Sequence, residues 1–185
     1  MVETTENVIP LLIEKIKAGD EGAFKQFFFI HQASIYYFIY RLISNKEAAE
    51  DITQDTFINF WLSKDKLDNT LSPKAYLYKI ARNLSINHLN RRSPLNSLNE
   101  ENEDMLISLS NHPEKEYDRI FLMDDYQKAI SKLPERCRAT FILSRFDGFE
   151  YTEIAQILGV SLQTVKNQMN KAISSLRKYL SFYLN

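Results

Sequence analysis

Residues Tyr151 to Leu180, YTEIAQILGVSLQTVKNQMNKAISSLRKYL, read as two helices around a tight turn. In the first half Ile154, Ala155 and Leu158 recur at helical spacing, and Gly159 follows where a helix C-terminus needs a residue that tolerates positive φ. Val160 then plugs the corner and Ser161 caps a new helix by accepting from a backbone N–H. From there Leu162, Val165, Met169, Ala172, Leu176 and Leu180 form one apolar stripe. Gln163, Lys166, Asn167, Asn170, Lys171 and Ser174 fall on the opposite face, which holds cations and amides but no carboxylate. Lys and amide side chains at successive turns are what a helix needs to hold phosphates and hydrogen-bond base edges in a major groove. The small Ala155 lets the two helices cross closely, as a helix-turn-helix demands. A solvated helical hairpin is the plainer reading, but the turn, the cap and the acid-free face occur together and favour DNA.

Charge is sorted elsewhere too. The 185 residues carry a formal net charge of only -1, with Asp and Glu as common as Lys and Arg. Yet PKAYLYKIARNLSINHLNRR, Pro73 to Arg92, holds Lys74, Lys79, Arg82, Arg91 and Arg92 with no acid. Tyr76 and Tyr78 lie among these cations, while Leu77, Ile80, Ala81, Leu84 and Leu89 are placed to face inward. Basic residues interleaved with aromatics suit single-stranded nucleic acid, since a ring stacks on an unpaired base while Lys and Arg hold the phosphates. The reverse holds for KEAAEDITQDTFINFWL, Lys46 to Leu62, where Glu50, Asp51, Gln54 and Asp55 cluster on the polar side of a helix with Ala49, Ile52, Phe57, Phe60 and Trp61 as its core. No His accompanies these carboxylates for acid-base chemistry, so an acidic docking face is the better reading.

The remaining elements are helical as well. Four Gly, five Pro and long stretches of helical period point to an all-α chain, and 44% hydrophobic content supports packed cores. Val8 to Ala18 forms a short helix ended by Gly19, and Asp20 caps the next, Glu21 to about Ser44. Its aromatics, Phe24, Phe27, Phe28, Phe29, Tyr36, Tyr37, Phe38 and Tyr40, imply burial on more than one side, hence a bundle. Ser63 to Ser72 is a polar loop. Ser93 to Asp118 reads as an acidic linker, with Glu100, Glu101, Glu103, Asp104, Glu114, Glu116 and Asp118 against a single cation, Lys115. Helices from Asp118 to Leu133 and from Pro134 to near Gly148 give the helix-turn-helix a base. The single cysteine, Cys137, excludes an internal disulfide, and the three histidines have no metal-ligand spacing. No apolar run reaches a membrane span and no basic signal start appears, so a soluble cytoplasmic protein is expected, without cofactor, metal or enzymatic activity.

Three blocks in this order, AAEDITQDTFINFW, PKAYLYKIARNLSINHLNRR and LPERCRATFILSRFDGFEYTEIAQILGVSLQTVKNQMNKA, resemble the extracytoplasmic-function (ECF) class of bacterial sigma-70 factors. The resemblance implies two small helical domains, sigma region 2 over residues 1–92 and region 4 over 118–185, joined by the linker 93–117. It implies a subunit that binds core RNA polymerase and directs it to promoter DNA. Asp51, Gln54 and Asp55 are then expected to meet the polymerase clamp. Leu67, Tyr76, Lys79, Arg82 and Asn83 are expected to handle the unpaired minus-ten strand, and Gln163, Thr164, Lys166, Asn167, Asn170 and Lys171 to read the minus-thirty-five duplex. A membrane-bound anti-sigma protein is a further candidate partner. Asn167, Gln168 and Asn170 stand where relatives more often carry Arg, so no promoter sequence is carried over. The competing reading is a helix-turn-helix regulator whose N-terminal half senses a ligand or dimerises.

Overall fold

The computed structural model describes residues 5–67, 71–91 and 126–180, and every regular element among them is helical. In chain order these are α1 (Thr5–Lys17), α2 (Glu21–Ile43), α3 (Lys46–Leu62), a 3-10 turn (Lys64–Lys66), α4 (Pro73–Arg91), α5 (residues 126–131), α6 (Glu135–Arg145), α7 (Tyr151–Leu158) and α8 (Leu162–Leu180). The linker, Arg92, the first half of the helix expected from Asp118, and the side chain of Leu180 lie outside the described residues.

Local chemistry sets the helix ends. Asp20 Oδ1 accepts from the Ala23 N–H at 3.0 Å, and Asn45 Oδ1 from the Ala48 N–H at 2.8 Å, each occupying a first-turn donor that has no partner within its helix. Asn45 therefore starts α3 as well as separating it from α2. Between them Ser44 takes the left-handed conformation, φ 55°, and returns its N–H to Tyr40. The first helix begins earlier than its apolar spacing suggests, at Thr5 rather than Val8.

Helices α1 to α4 form one bundle around Ile16, Phe27, Phe38, Phe60 and Leu77, all at 0% exposure. Each such side chain contributes about 1.5–3 kcal/mol by leaving water. Aromatic packing is dense here: Phe27 stacks on Phe60 with centroids 4.8 Å apart, and Phe28 meets Phe57 edge-on at 4.7 Å. The outer aromatics of α2 do not share in it, since Phe29 and Tyr37 remain exposed. Helices α5 to α8 form a second bundle around Ile130, Ile142, Ile154, Val165 and Met169. The two bundles touch, α2 against α6 and α4 against α7.

Candidate nucleic-acid interface

The helix-turn-helix forms where its sequence places it. Glu153 Oε2 accepts the Glu150 N–H at 2.9 Å at the start of α7, and Gly159 ends it at φ 66°, ψ 38°. Val160 packs on the core and returns its N–H to the Ala155 carbonyl at 3.0 Å. Ser161 Oγ accepts the Thr164 N–H at 3.1 Å, and the two hydroxyls lie 2.8 Å apart, so Thr164 is engaged at the cap. Val165, Met169, Ala172 and Leu176 of α8 are buried, whereas Leu162, at the helix start, is exposed.

Gln163, Lys166, Asn167, Asn170, Lys171 and Ser174 are all exposed on the outer face of α8. Gln163 Nε2 donates to Asn167 Oδ1 at 3.1 Å, which aligns two amides along one row. Gln168 is not part of that row. It is buried, with Oε1 2.7 Å from the Thr140 hydroxyl; that hydroxyl is also 3.0 Å from the Arg136 carbonyl and shares one proton between them. The outer face thus presents amides and ammoniums without a carboxylate, on a helix whose N-terminus favours phosphate.

Along α4, Tyr76, Lys79 and Asn83 follow one another at helical spacing, with Arg82 beside them. Asn83 is exposed, Tyr76 and Lys79 are half-buried, and the Tyr76 ring lies 6.1 Å from Phe60. Arg82 donates to Asn83 Oδ1 at 3.3 Å and forms an ion pair with Glu135 of the second bundle at 3.9 Å. Tyr78, which the sequence places among the cations, is fully buried instead. Leu67 is also buried, at 9% exposure, closing the 3-10 turn with its N–H on the Lys64 carbonyl.

Asp51, Gln54 and Asp55 share the outer face of α3 with Glu47 and Glu50, all exposed. Beneath them Thr53 and Thr56 are buried, each returning its hydroxyl to a carbonyl four residues back. The three candidate groups therefore occupy three separate surfaces. Among the described residues no cluster of His, Cys, Asp or Glu is built to hold a metal ion, and no helix is long and apolar enough to cross a membrane.

What sequence reasoning missed lies between the bundles. Tyr78, Arg138, Phe146, Asp147 and Phe149 meet there, and the signal was an aromatic pair flanking a turn, FDGF, that a helix connection alone does not need. Burial raises the Asp147 pKa to about 6, against the lowering effects of the Tyr78 hydrogen bond, Arg41 and Lys74. Burial, then Lys74, depresses that of His31 to about 4.

Residues 28–94 match the family model for sigma-70 region 2, and residues 123–176 that for sigma-70 region 4. Over 183 residues the chain is 30% identical to the ECF RNA polymerase sigma factor SigW of Bacillus subtilis, covering 95% of this chain and 98% of that one. It is 32% identical over 152 residues to the ECF RNA polymerase sigma factor SigE of Mycolicibacterium smegmatis, across 82% of this chain and 59% of that one. Among solved structures, CnrH in complex with the cytosolic domain of CnrY shares the fold, with a TM-score of 0.73 at 20% identity over 94% of this chain and 97% of that one. The sigma factor RpoE in complex with the anti-sigma factor NepR from Bartonella quintana gives a TM-score of 0.67 at 26% identity, over 85% and 96% of the two chains.

Proposed function

The chain belongs to the extracytoplasmic-function class of sigma-70 factors, and from that premise we propose that it joins core RNA polymerase in the cytoplasm and selects promoters through the three surfaces described above. The observation that carries this reading is the presence of both sigma regions, matched over 28–94 and 123–176, in one chain. A ligand-sensing regulator with a single helix-turn-helix has no use for the first. The protein is not an enzyme: opening DNA draws on binding energy, and a few kcal/mol of lost stacking for each extruded base must be offset by contacts.

In this reading α8 enters the major groove of the minus-thirty-five element. Asn167 and Asn170, with Gln163 aligned beside Asn167, bond base edges; Lys166 and Lys171 hold phosphates, and Thr164 keeps the helix start in place. Tyr76, Lys79, Arg82 and Asn83 receive the unpaired minus-ten strand, and the loop beside them is seated by the buried Leu67. Asp51, Gln54 and Asp55 dock on a basic surface of the polymerase clamp. An anti-sigma protein is a further partner in this proposal, supported by the 26% identical sigma factor solved with one.

Transcription reconstituted from this chain and purified core polymerase of its host tests the whole. Promoter-specific RNA synthesis is expected, and its absence at every genomic site would end the reading. Asp51→Ala with Asp55→Ala should weaken polymerase binding at least tenfold while the chain's affinity for minus-thirty-five duplex is unchanged. Equal polymerase affinity would remove the clamp assignment.

A further inference from the structure

The exposed arc of α8 holds three amides, Gln163, Asn167 and Asn170, and over these turns no arginine. At about 100° per residue they occupy its centre, while Lys166 and Lys171 stand at its two edges. Lys171 lies close enough to α6 for its charge to act on the Cys137 thiol. Arg177 belongs to the last turn, about 15 Å further along the axis than Asn167 at 1.5 Å per residue. The N-terminal residues of such a helix are the ones that meet bases, so Arg177 stays outside the zone that reads. The side chain that most often fixes guanine, through two donors to O6 and N7, is therefore missing from that zone. What remains is amide chemistry, and its orientation is set within the helix. Gln163 Nε2 donates to Asn167 Oδ1 at 3.1 Å. That bond uses one of the two Gln163 hydrogens and leaves Oε1 with one N–H, an acceptor beside a donor. It also engages Asn167 Oδ1, so the free donors of Asn167 are the two hydrogens on Nδ2.

We infer that the bonded pair Gln163 and Asn167 makes α8 select an adenine at one base pair and, within two steps of it, a base with no major-groove donor, guanine or thymine. The inference rests on the sigma-factor reading above and names the duplex that its recognition helix takes. In the major groove adenine presents the N7 acceptor beside the N6 donor, the complement of what Gln163 has left. Guanine presents two acceptors there, and its O6 would oppose Gln163 Oε1. Asn167 has the reverse preference, because its Nδ2 hydrogens suit guanine O6 and N7 or thymine O4. Four residues of helix span about 6 Å and stacked base pairs are about 3.4 Å apart, so the two contacts fall one or two steps apart. On an open helix an amide pair of this kind is weak. Between base edges an unpaired donor or acceptor is costly, and the pair satisfies one of each.

Selection from a pool of duplexes randomised across the minus-thirty-five window tests this, with the full chain alone and assembled with core polymerase. The enriched motif is expected to hold an adenine with a guanine or thymine one or two steps away, each favoured about five- to a hundredfold over the excluded bases. Two substitutions at these exposed positions assign the bases. Asn167→Asp keeps an acceptor for Gln163, so the adenine should persist, while the neighbouring preference should move to cytosine, whose N4 donates to a carboxylate. Gln163→Glu removes the donor, and Asn167 then turns its Nδ2 toward the new carboxylate. Both positions should change, the adenine preference moving to cytosine and the guanine or thymine preference to adenine. Selection ranks sequences against one another, so a uniform loss of affinity from the added charge does not disturb the result. Should one variant lose its helical circular dichroism, the motif of the unaltered chain and the other variant carry the test. A motif without the adenine, or a folded Gln163→Glu chain that shifts one position alone, would overturn the inference and leave the sigma-factor reading in place. A chain that enriches no sequence, with or without polymerase, would defeat that reading and the inference with it.

Discussion

Neighbouring side chains on α8 do different work, and Asn167, Gln168 and Lys171 show it. Asn167 is exposed and aligned by Gln163, so Asn167→Ala should change the ranking of duplex sequences by about 1–3 kcal/mol at one position. Lys171→Ala should weaken all sequences alike and flatten the logarithmic salt slope by about 1. Titrations of several duplexes at several salt concentrations separate the two, and identical effects would refute the division. Gln168 is buried against Thr140, and Gln168→Ala leaves that hydroxyl with one acceptor fewer. A stability loss of about 1–3 kcal/mol in urea, with sequence preference intact, is expected. The six exposed residues were legible because a clean apolar stripe fixes the opposite face. Gln168 was not, since its burial depends on Thr140, 28 positions away, which no local period reports.

At the scale of the element, Gly159 decides whether two helices or one are made. Its φ of 66° is left-handed and nothing lies within 4 Å of where a Cβ would sit, so Gly159→Ala meets backbone strain without a clash. A loss of roughly 1–2 kcal/mol is expected in thermal unfolding, with weaker minus-thirty-five binding following as the turn loosens. Helix identities and the caps Asp20 and Ser161 were legible because their chemistry is local. Burial was less so. Phe29 and Tyr37 are exposed and Thr53 and Thr56 buried, since α3 meets α2 through a face that hydropathy alone does not rank. Thr hydroxyls bonded back to their own helix enter a core at little cost.

For the whole molecule, the contact between the bundles carries a pH signature. Burial raises the Asp147 pKa from its ordinary value to about 6, so making the contact takes up a proton; the contact is favoured at low pH and weakened as pH rises through 6. Arg41 of α2, and Lys74 and Tyr78 of α4, face this carboxyl, and Asp147 Oδ2 has no partner among the described residues. Energy transfer between fluorophores placed one on each bundle should therefore fall between pH 5 and pH 7.5, and Asp147→Asn, which resembles the protonated acid, should remove the slope. A flat wild-type profile, or an unchanged slope in the variant, would dismiss Asp147 as its source. His31 works in the opposite sense: held neutral with a pKa of about 4, it loses stability for the fold as pH falls below its ordinary 6.5, which helical circular dichroism tracks separately. The two bundles were legible from sorted charge and period, but their mutual contact was not, because it joins residues as far apart as Leu42 and Arg138.

Arg138 grips not only the Leu42 carbonyl but also those of Ser131 and Leu133, at the end of α5. One guanidinium therefore ties three loose chain ends, two of them inside its own bundle. Selection acting at that position cannot loosen the contact between the bundles without also softening the platform under α8. Adjustment of the fit between the halves is left to the periphery of the joint, Arg41 and Asp147, since Tyr78 is itself fully buried against Phe38 of the first bundle.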